Sequence, residues 1–146
     1  ILFEESYLLA CPKGTKPNTQ SISISGLDAG ELLLLEDGHC LSDHALSACG
    51  LQKPEHRKAY SATSLPTLIQ MVSNGFGMTL LPEMVIESGH LPENIDIIPF
   101  DDPCPSRQIG LARKVGTPRY QDTETLFTSI TGYKYRKDYK DHPSTL

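Results

Sequence analysis

The apolar positions of this chain change rhythm several times, and each change marks an element. Residues 7–11 form a short apolar run stopped by Pro12, Lys13 and Gly14, which predicts a buried strand. Residues 15–21 are polar with a proline and read as loop. Residues 21–25 alternate strictly between serine and isoleucine and predict a half-buried strand or extended segment. After a turn-like stretch at 27–30 come four leucines, residues 32–35, the pattern of a strand covered on both faces. Glu36 to His39 follow at its carboxyl end, where open α/β sheets keep their ligand sites. Residues 43–48 are weakly helical, with Leu41 and Ala45 on one face beside Ala48 and Gly50 as a stop.

The second half continues in the same manner. Residues 51–57 read as polar loop and residues 58–62 as a strand. Thr63 or Ser64 caps a helix whose Leu65, Leu68, Ile69 and Val72 recur at helical spacing, with Pro66 in the first turn and Asn74-Gly75 at the end. A strand at 78–81 closes at Pro82, and residues 83–88 suit one helical turn. Strands are expected at 95–100 and 108–113, and a helix at 121–133 with Leu126, Ile130 and Tyr133 on one side. Strands alternating with helices predict an α/β fold, a mixed sheet flanked by helices.

Composition narrows the function. With 146 residues, 38% hydrophobic and 21% charged, the chain can bury a core without staples. A net charge of -5 leaves no basic face for nucleic acid; the lysines at 134–140 are diluted by Asp138 and Asp141. The longest apolar stretch is far too short to span a bilayer, so no membrane role is expected. Four unevenly spaced cysteines suit a reducing, cytoplasmic compartment. The chain opens at Ile1 already in strand-like sequence, which suggests a piece of a longer protein.

The densest chemistry lies in Gly38-His39-Cys40 and, nine residues on, Cys49. If the segment is helical, it rises about 13 Å between the two thiols. A disulfide needs Cα atoms within about 7 Å, so a bond would require the backbone to refold. Cys40, at the start of a helix beside His39, has the setting of a reactive thiolate. Peroxide turns such a thiolate into a sulfenic acid that a second thiol captures. Two unconnected core cysteines would give the same spacing, and both readings stand at this point. Zinc on His39, Cys40, His44 and Cys49 is disfavoured by the adjacent first pair and the missing C-x-x-C clamp. Cys11 is expected in the core and Cys104 in an exposed loop, while His56, His90 and His142 read as surface residues. Glu36, Asp37 and Asp43 read as a solvated loop rather than an acid pair. No cofactor fingerprint is present.

Leu33-Leu34-Leu35-Glu36-Asp37-Gly38-His39-Cys40-Leu41 with Cys49 resembles the sensor segment of the peroxide-responsive LysR-type transcription regulators. Ala62-Thr63-Ser64-Leu65, Thr67-Leu68, Met71-Val72, Gly75, Gly77 and Thr79-Leu80-Leu81-Pro82 resemble the signature shared by LysR-type effector domains at large. Gln108-Ile109-Gly110-Leu111 is similar to the strand by which that fold returns to its first subdomain. The resemblance implies a periplasmic-binding-protein-like effector domain. Residues 1–107 would be its second, redox-sensing subdomain, and residues 108–146 the returning strand and helix of the first, with a 135–146 tail that has no counterpart. The DNA-binding domain would lie outside this chain. The resemblance further implies a non-enzymatic sensor of hydrogen peroxide in which Cys40 is oxidised and bonds to Cys49, supported by His39, Asp43 and Arg107, without metal or cofactor. It implies a homodimer or tetramer that contacts DNA through the amino-terminal domain and is reset by a thiol reductant of the glutaredoxin or thioredoxin type. Two other readings remain: an effector domain that binds a metabolite in the cleft with incidental cysteines, and an unrelated thiol peroxidase.

Overall fold

Ten apolar-rich residues, Phe3–Pro12, form β1, the strand around which the sheet is built. The computed structural model describes residues 1–15, 20–36, 38–52, 61–116 and 118–131. β2 (Thr79–Pro82) and β3 (Ile95–Ile98) flank β1, both antiparallel to it, with Leu9 opposite Leu80 and Ile98. β4 (Ser106–Ile109) also pairs with β1. The helices are α1 (Cys40–Ala48), α2 (Leu65–Ser73), α3 (Glu83–Glu87) and α4 (Tyr120–Thr131). Two compact units result, one of Glu4–Arg107 and one of Ile1–Phe3 with Gln108–Leu146.

In the larger unit the twofold alternation of strands divides the core in two. Tyr7, Leu9, Cys11, Leu32, Leu34 and Leu80 face a cluster that includes Ala45, Leu46 and Cys49 of the α1 region. Ala10, Leu33, Leu35 and Leu81 face the opposite cluster with Leu68 and Val72 of α2. The leucine run is thus covered on both faces, as expected, but it carries no extended ladder. It pairs through single parallel bridges, Leu32 with Met78 and Leu35 with Ala62. Of the expected strand at 58–62, residues 58–60 lie outside the described residues, and Ala62 makes this last contact.

The serine–isoleucine alternation misleads. Only Ile22 bridges, to Phe100, and Ile24–Gly26 is a 3-10 turn. The Ser23 hydroxyl accepts from the Ser25 N–H, satisfying the backbone locally instead of through a ladder. α2 begins at Ser64, whose hydroxyl accepts from Thr67 N–H, with Pro66 in the first turn. β4 is shifted toward its amino end relative to the expected 108–113, because the ladder to β1 closes where the Leu2 N–H donates to the Ile109 carbonyl (2.7 Å). In the smaller unit, Leu126 and Ile130 of α4 are exposed; Tyr133 lies outside the described residues. Hydroxyls of Thr125, Thr128, Ser129 and Thr131 each donate to the carbonyl four residues back. No helix among the described residues is long and apolar enough to cross a membrane.

Candidate functional site

α1 has two unlike ends. At its start Gly38 takes φ +98°, a left-handed turn open to glycine, and aims the chain into the helix. His39 occupies the N-cap with no side-chain cap bond. Cys40 is the first helical residue and is exposed, with a free thiol. At its end Cys49 is buried, also free, and the chain leaves through Gly50 at φ +64°. There the Gly50 N–H donates to Ser47 (3.0 Å) and the Leu51 N–H to Leu46 (2.8 Å), the double bond pattern of a glycine-terminated cap. The helix is therefore anchored at Cys49 and free to fray from Cys40.

The two thiols stand nine residues apart along an intact helix, about 13 Å of rise, so they do not meet in this conformation. Burial first, and then the Cys104 thiol, push the Cys49 thiol up to about 11. A buried, protonated sulfur at that end is a poor nucleophile while α1 is folded.

What holds α1 down is modest. Ala45 and Leu46 are buried, and Leu41 packs partly against both clusters. A small apolar cavity lined by Leu34, Leu41, Ser42, Ala45, Leu68 and Leu80 lies beneath it. The buried Ser42 hydroxyl accepts from the Leu35 N–H at 2.9 Å, tying the helix to the leucine run. Ser42→Ala leaves that amide without its acceptor and should cost about 1–3 kcal/mol. Hydrogen exchange of the α1 amides should then quicken about tenfold or more relative to α2. Unchanged exchange would mean that this hydroxyl does not hold the helix.

The remaining expected site residues scatter. His39 and Asp43 are exposed on the opening turn of α1. Arg107 is drawn elsewhere: its Nε donates to Glu5 Oε2 at 2.7 Å, and its guanidinium lies over the Tyr7 ring at 5.7 Å. Glu5 is 2% exposed, and its other oxygen accepts from the Met84 N–H in the first turn of α3. Burial acts to lower the Arg107 pKa, but the Glu5 bond together with the charges and bonding of Tyr7 and Glu5 outweighs it and holds the group further up. Burial likewise raises Tyr7, against the opposing pull of Arg107. Cys11 is in the core as expected. Cys104 is not the exposed loop thiol the sequence suggested; it is half-buried, packed on the α1-side cluster, its Sγ 3.9 Å from the Tyr7 carbonyl. His44 and His90 are exposed, while His56, His142 and Asp37 lie outside the described residues. Among the described residues no three metal-ligating side chains converge.

Glu5 and Ser42 escaped the sequence reading, and Cys104 was placed in the wrong environment. Glu5 alone left a trace, since it shares one face of β1 with Tyr7, Leu9 and Cys11.

Known proteins bear on this geometry. The LysR substrate binding domain family matches residues 1–132. The HTH-type transcriptional regulator EstR of Acinetobacter baylyi is 39% identical over 124 residues, covering 84% of this chain and 41% of its own length. The DNA-binding transcriptional dual regulator OxyR of Escherichia coli is 35% identical over 130 residues, covering 88% and 43%. OxyR solved in its reduced form superposes with TM-score 0.74 at 35% identity, over 90% of this chain and 61% of that one; its oxidised form gives 0.70, over 90% and 62%. The chain thus spans less than half the length of these curated relatives.

Proposed function

Since this chain belongs to the LysR substrate-binding-domain family, non-enzymatic parts of transcription regulators, we propose that it is the peroxide-sensing regulatory domain of such a regulator. The observation that carries the reading is α1 itself: an exposed thiol on its uncapped end and a buried thiol on its capped end. Its kinship to OxyR, a protein solved in reduced and oxidised forms, supports the same view.

The chemistry runs in two displacements. The Cys40 thiolate attacks one peroxide oxygen, the O–O bond breaks, and the departing hydroxide leaves as water, giving a sulfenic acid. Cys49 then attacks the Cys40 sulfur and displaces hydroxide, again lost as water, to form the disulfide. The second step requires α1 to unwind, and that rearrangement is the signal. His39, Asp43 and Arg107 are proposed as groups supporting the reactive thiol. Residues 1–107 serve as the second regulatory subdomain, with 108–146 completing part of the first. In the whole cytoplasmic protein the domain assembles as a homodimer or tetramer, controls DNA through a separate domain, and is reset by a dithiol reductant.

A second reading, an effector domain for a small metabolite, draws on EstR, whose name carries no peroxide signal. One equivalent of peroxide, quenched early and followed by thiol alkylation and peptide mapping, separates the two. A peptide joining Cys40 to Cys49, absent in Cys40→Ser, is expected. Cys40 remaining reduced while other thiols oxidise would favour the metabolite reading instead.

A further inference from the structure

Cys49 shares its packed cluster with another thiol. Cys104 packs on the same cluster of buried residues that holds Cys49, Tyr7 and Leu46. Its sulfur lies 3.9 Å from the carbonyl of Tyr7, a buried member of that cluster. Tyr7, Cys49 and Cys104 thus belong to one packed cluster, and a charge at Cys104 is felt at Cys49. Both lie in the unit Glu4–Arg107, with α1 intact.

We propose that Cys104 is an exchange partner for Cys49, taking over the disulfide from Cys40 as α1 refolds. The route rests on the sensing reading; the existence of the pair does not. A Cys40–Cys49 bond holds α1 unwound, because the helix separates the two by about 13 Å. A Cys49–Cys104 bond joins two residues that already share a packed cluster, so it leaves α1 free to dock. The exchange is redox-neutral. The Cys104 thiolate attacks the Cys49 sulfur, the Cys40–Cys49 bond breaks, and the electron pair leaves on Cys40, which takes a proton from solvent. Refolding of α1 supplies the driving force. The product has a reduced Cys40 back at the head of its helix, open to a second peroxide, and a Cys49 that cannot resolve it. One domain thereby records a first exposure and answers the next one differently.

The pair is tested without peroxide. The full chain carrying Cys40→Ser is treated with diamide in native buffer; two thiols lose two electrons to the diazene, which becomes the hydrazine. Mapping should find Cys49 joined to Cys104 as the dominant product, with the far-ultraviolet circular dichroism unchanged. Cys49 left open to alkylation, or joined to Cys11 instead, would overturn the proposal. The route is tested by a peroxide pulse and chase on the native chain. Cys40–Cys49 should form first and give way to Cys49–Cys104, with Cys40 open to alkylation again. In Cys104→Ser the first disulfide should persist through the chase; equal lifetimes in both chains would overturn the exchange. If Cys40–Cys49 never forms, the sensing reading fails, and the diamide result alone decides the pair.

Discussion

Treated with one equivalent of peroxide, the domain carrying Cys104→Ser, in which the first disulfide persists, should lose amide protection across residues 39–51 while α2 keeps its own. Joining Cys40 to Cys49 removes the whole of α1, because no nine-residue helix brings its ends within bonding reach. Unwinding exposes the buried Leu46 and the partly buried Leu41, a loss of roughly 2–4 kcal/mol. It also breaks the Ser42–Leu35 bond, at about 1 kcal/mol net. At 1.4 kcal/mol per decade, exchange in the segment should accelerate roughly a hundredfold or more. The Leu65–Ser73 helix keeps Leu68 and Val72 in the opposite cluster and should not follow. Amides of α1 that exchange as slowly as those of α2 in both redox states would sink the refolding switch.

The same experiment has a pH signature. In place, burial holds the Cys49 thiol near 11, against an ordinary 9, so almost none of it is thiolate at neutral pH. Unwinding returns it to water and to its ordinary value. Closure of the disulfide from a preformed sulfenic acid should therefore climb about tenfold per pH unit and level off near 9. A climb that continues to 11 would mean that Cys49 attacks from its buried position. The shift also sets a stability window. A folded pKa raised above the unfolded one favours the protonated, folded form, so its contribution is whole below about 9 and is lost as pH rises to about 11. Alkali should loosen α1 for this reason, and Cys49→Ala should blunt the effect.

Sequence periodicity carried much of this architecture. The Ser64 cap and the spacing of Leu65, Leu68, Ile69 and Val72 define α2 because those signals are local and mutually consistent. The end of α1 was equally legible in Gly50, where the backbone takes positive φ, but its start lies at Cys40, three residues before the expected 43. The leucine run was different. Its composition announces burial on both faces, but four identical residues cannot say that alternate members serve different clusters. Residues 21–25 failed because a serine hydroxyl can replace the ladder that the alternation seems to promise. The partners of the site were least visible. Ser42 acts on an amide seven residues back, and Glu5 on a guanidinium 102 residues ahead. Such pairings are fixed by the sheet, and no local pattern encodes them.

Arg107→Met should be among the most destabilising single substitutions in the domain. Glu5 is 2% exposed and commits one oxygen to Arg107 and the other to the Met84 N–H. Removing the cation leaves a carboxylate buried beside Tyr7, and breaking such a pair costs about 3–5 kcal/mol. The Arg107 side chain keeps 24% of its exposure, so water partly reaches the pair and the lower end, about 3 kcal/mol, is expected. Glu5→Gln in the same chain should recover much of that loss, because a neutral amide keeps an oxygen for Met84 and needs no cation. Urea denaturation of the two single variants and the double would measure the coupling; an Arg107→Met loss below about 0.5 kcal/mol would remove the pair from the fold's supports. The comparison also decides what Arg107 does for the thiol. A guanidinium committed to Glu5 has less of its field to give Cys40, so Glu5→Gln should release it and speed the reaction of Cys40 with peroxide. If instead Glu5→Gln and the double variant react with peroxide at the rate of the native chain, Arg107 is an anchor of β1 and β4, and activation of Cys40 falls to the amino end of α1 alone.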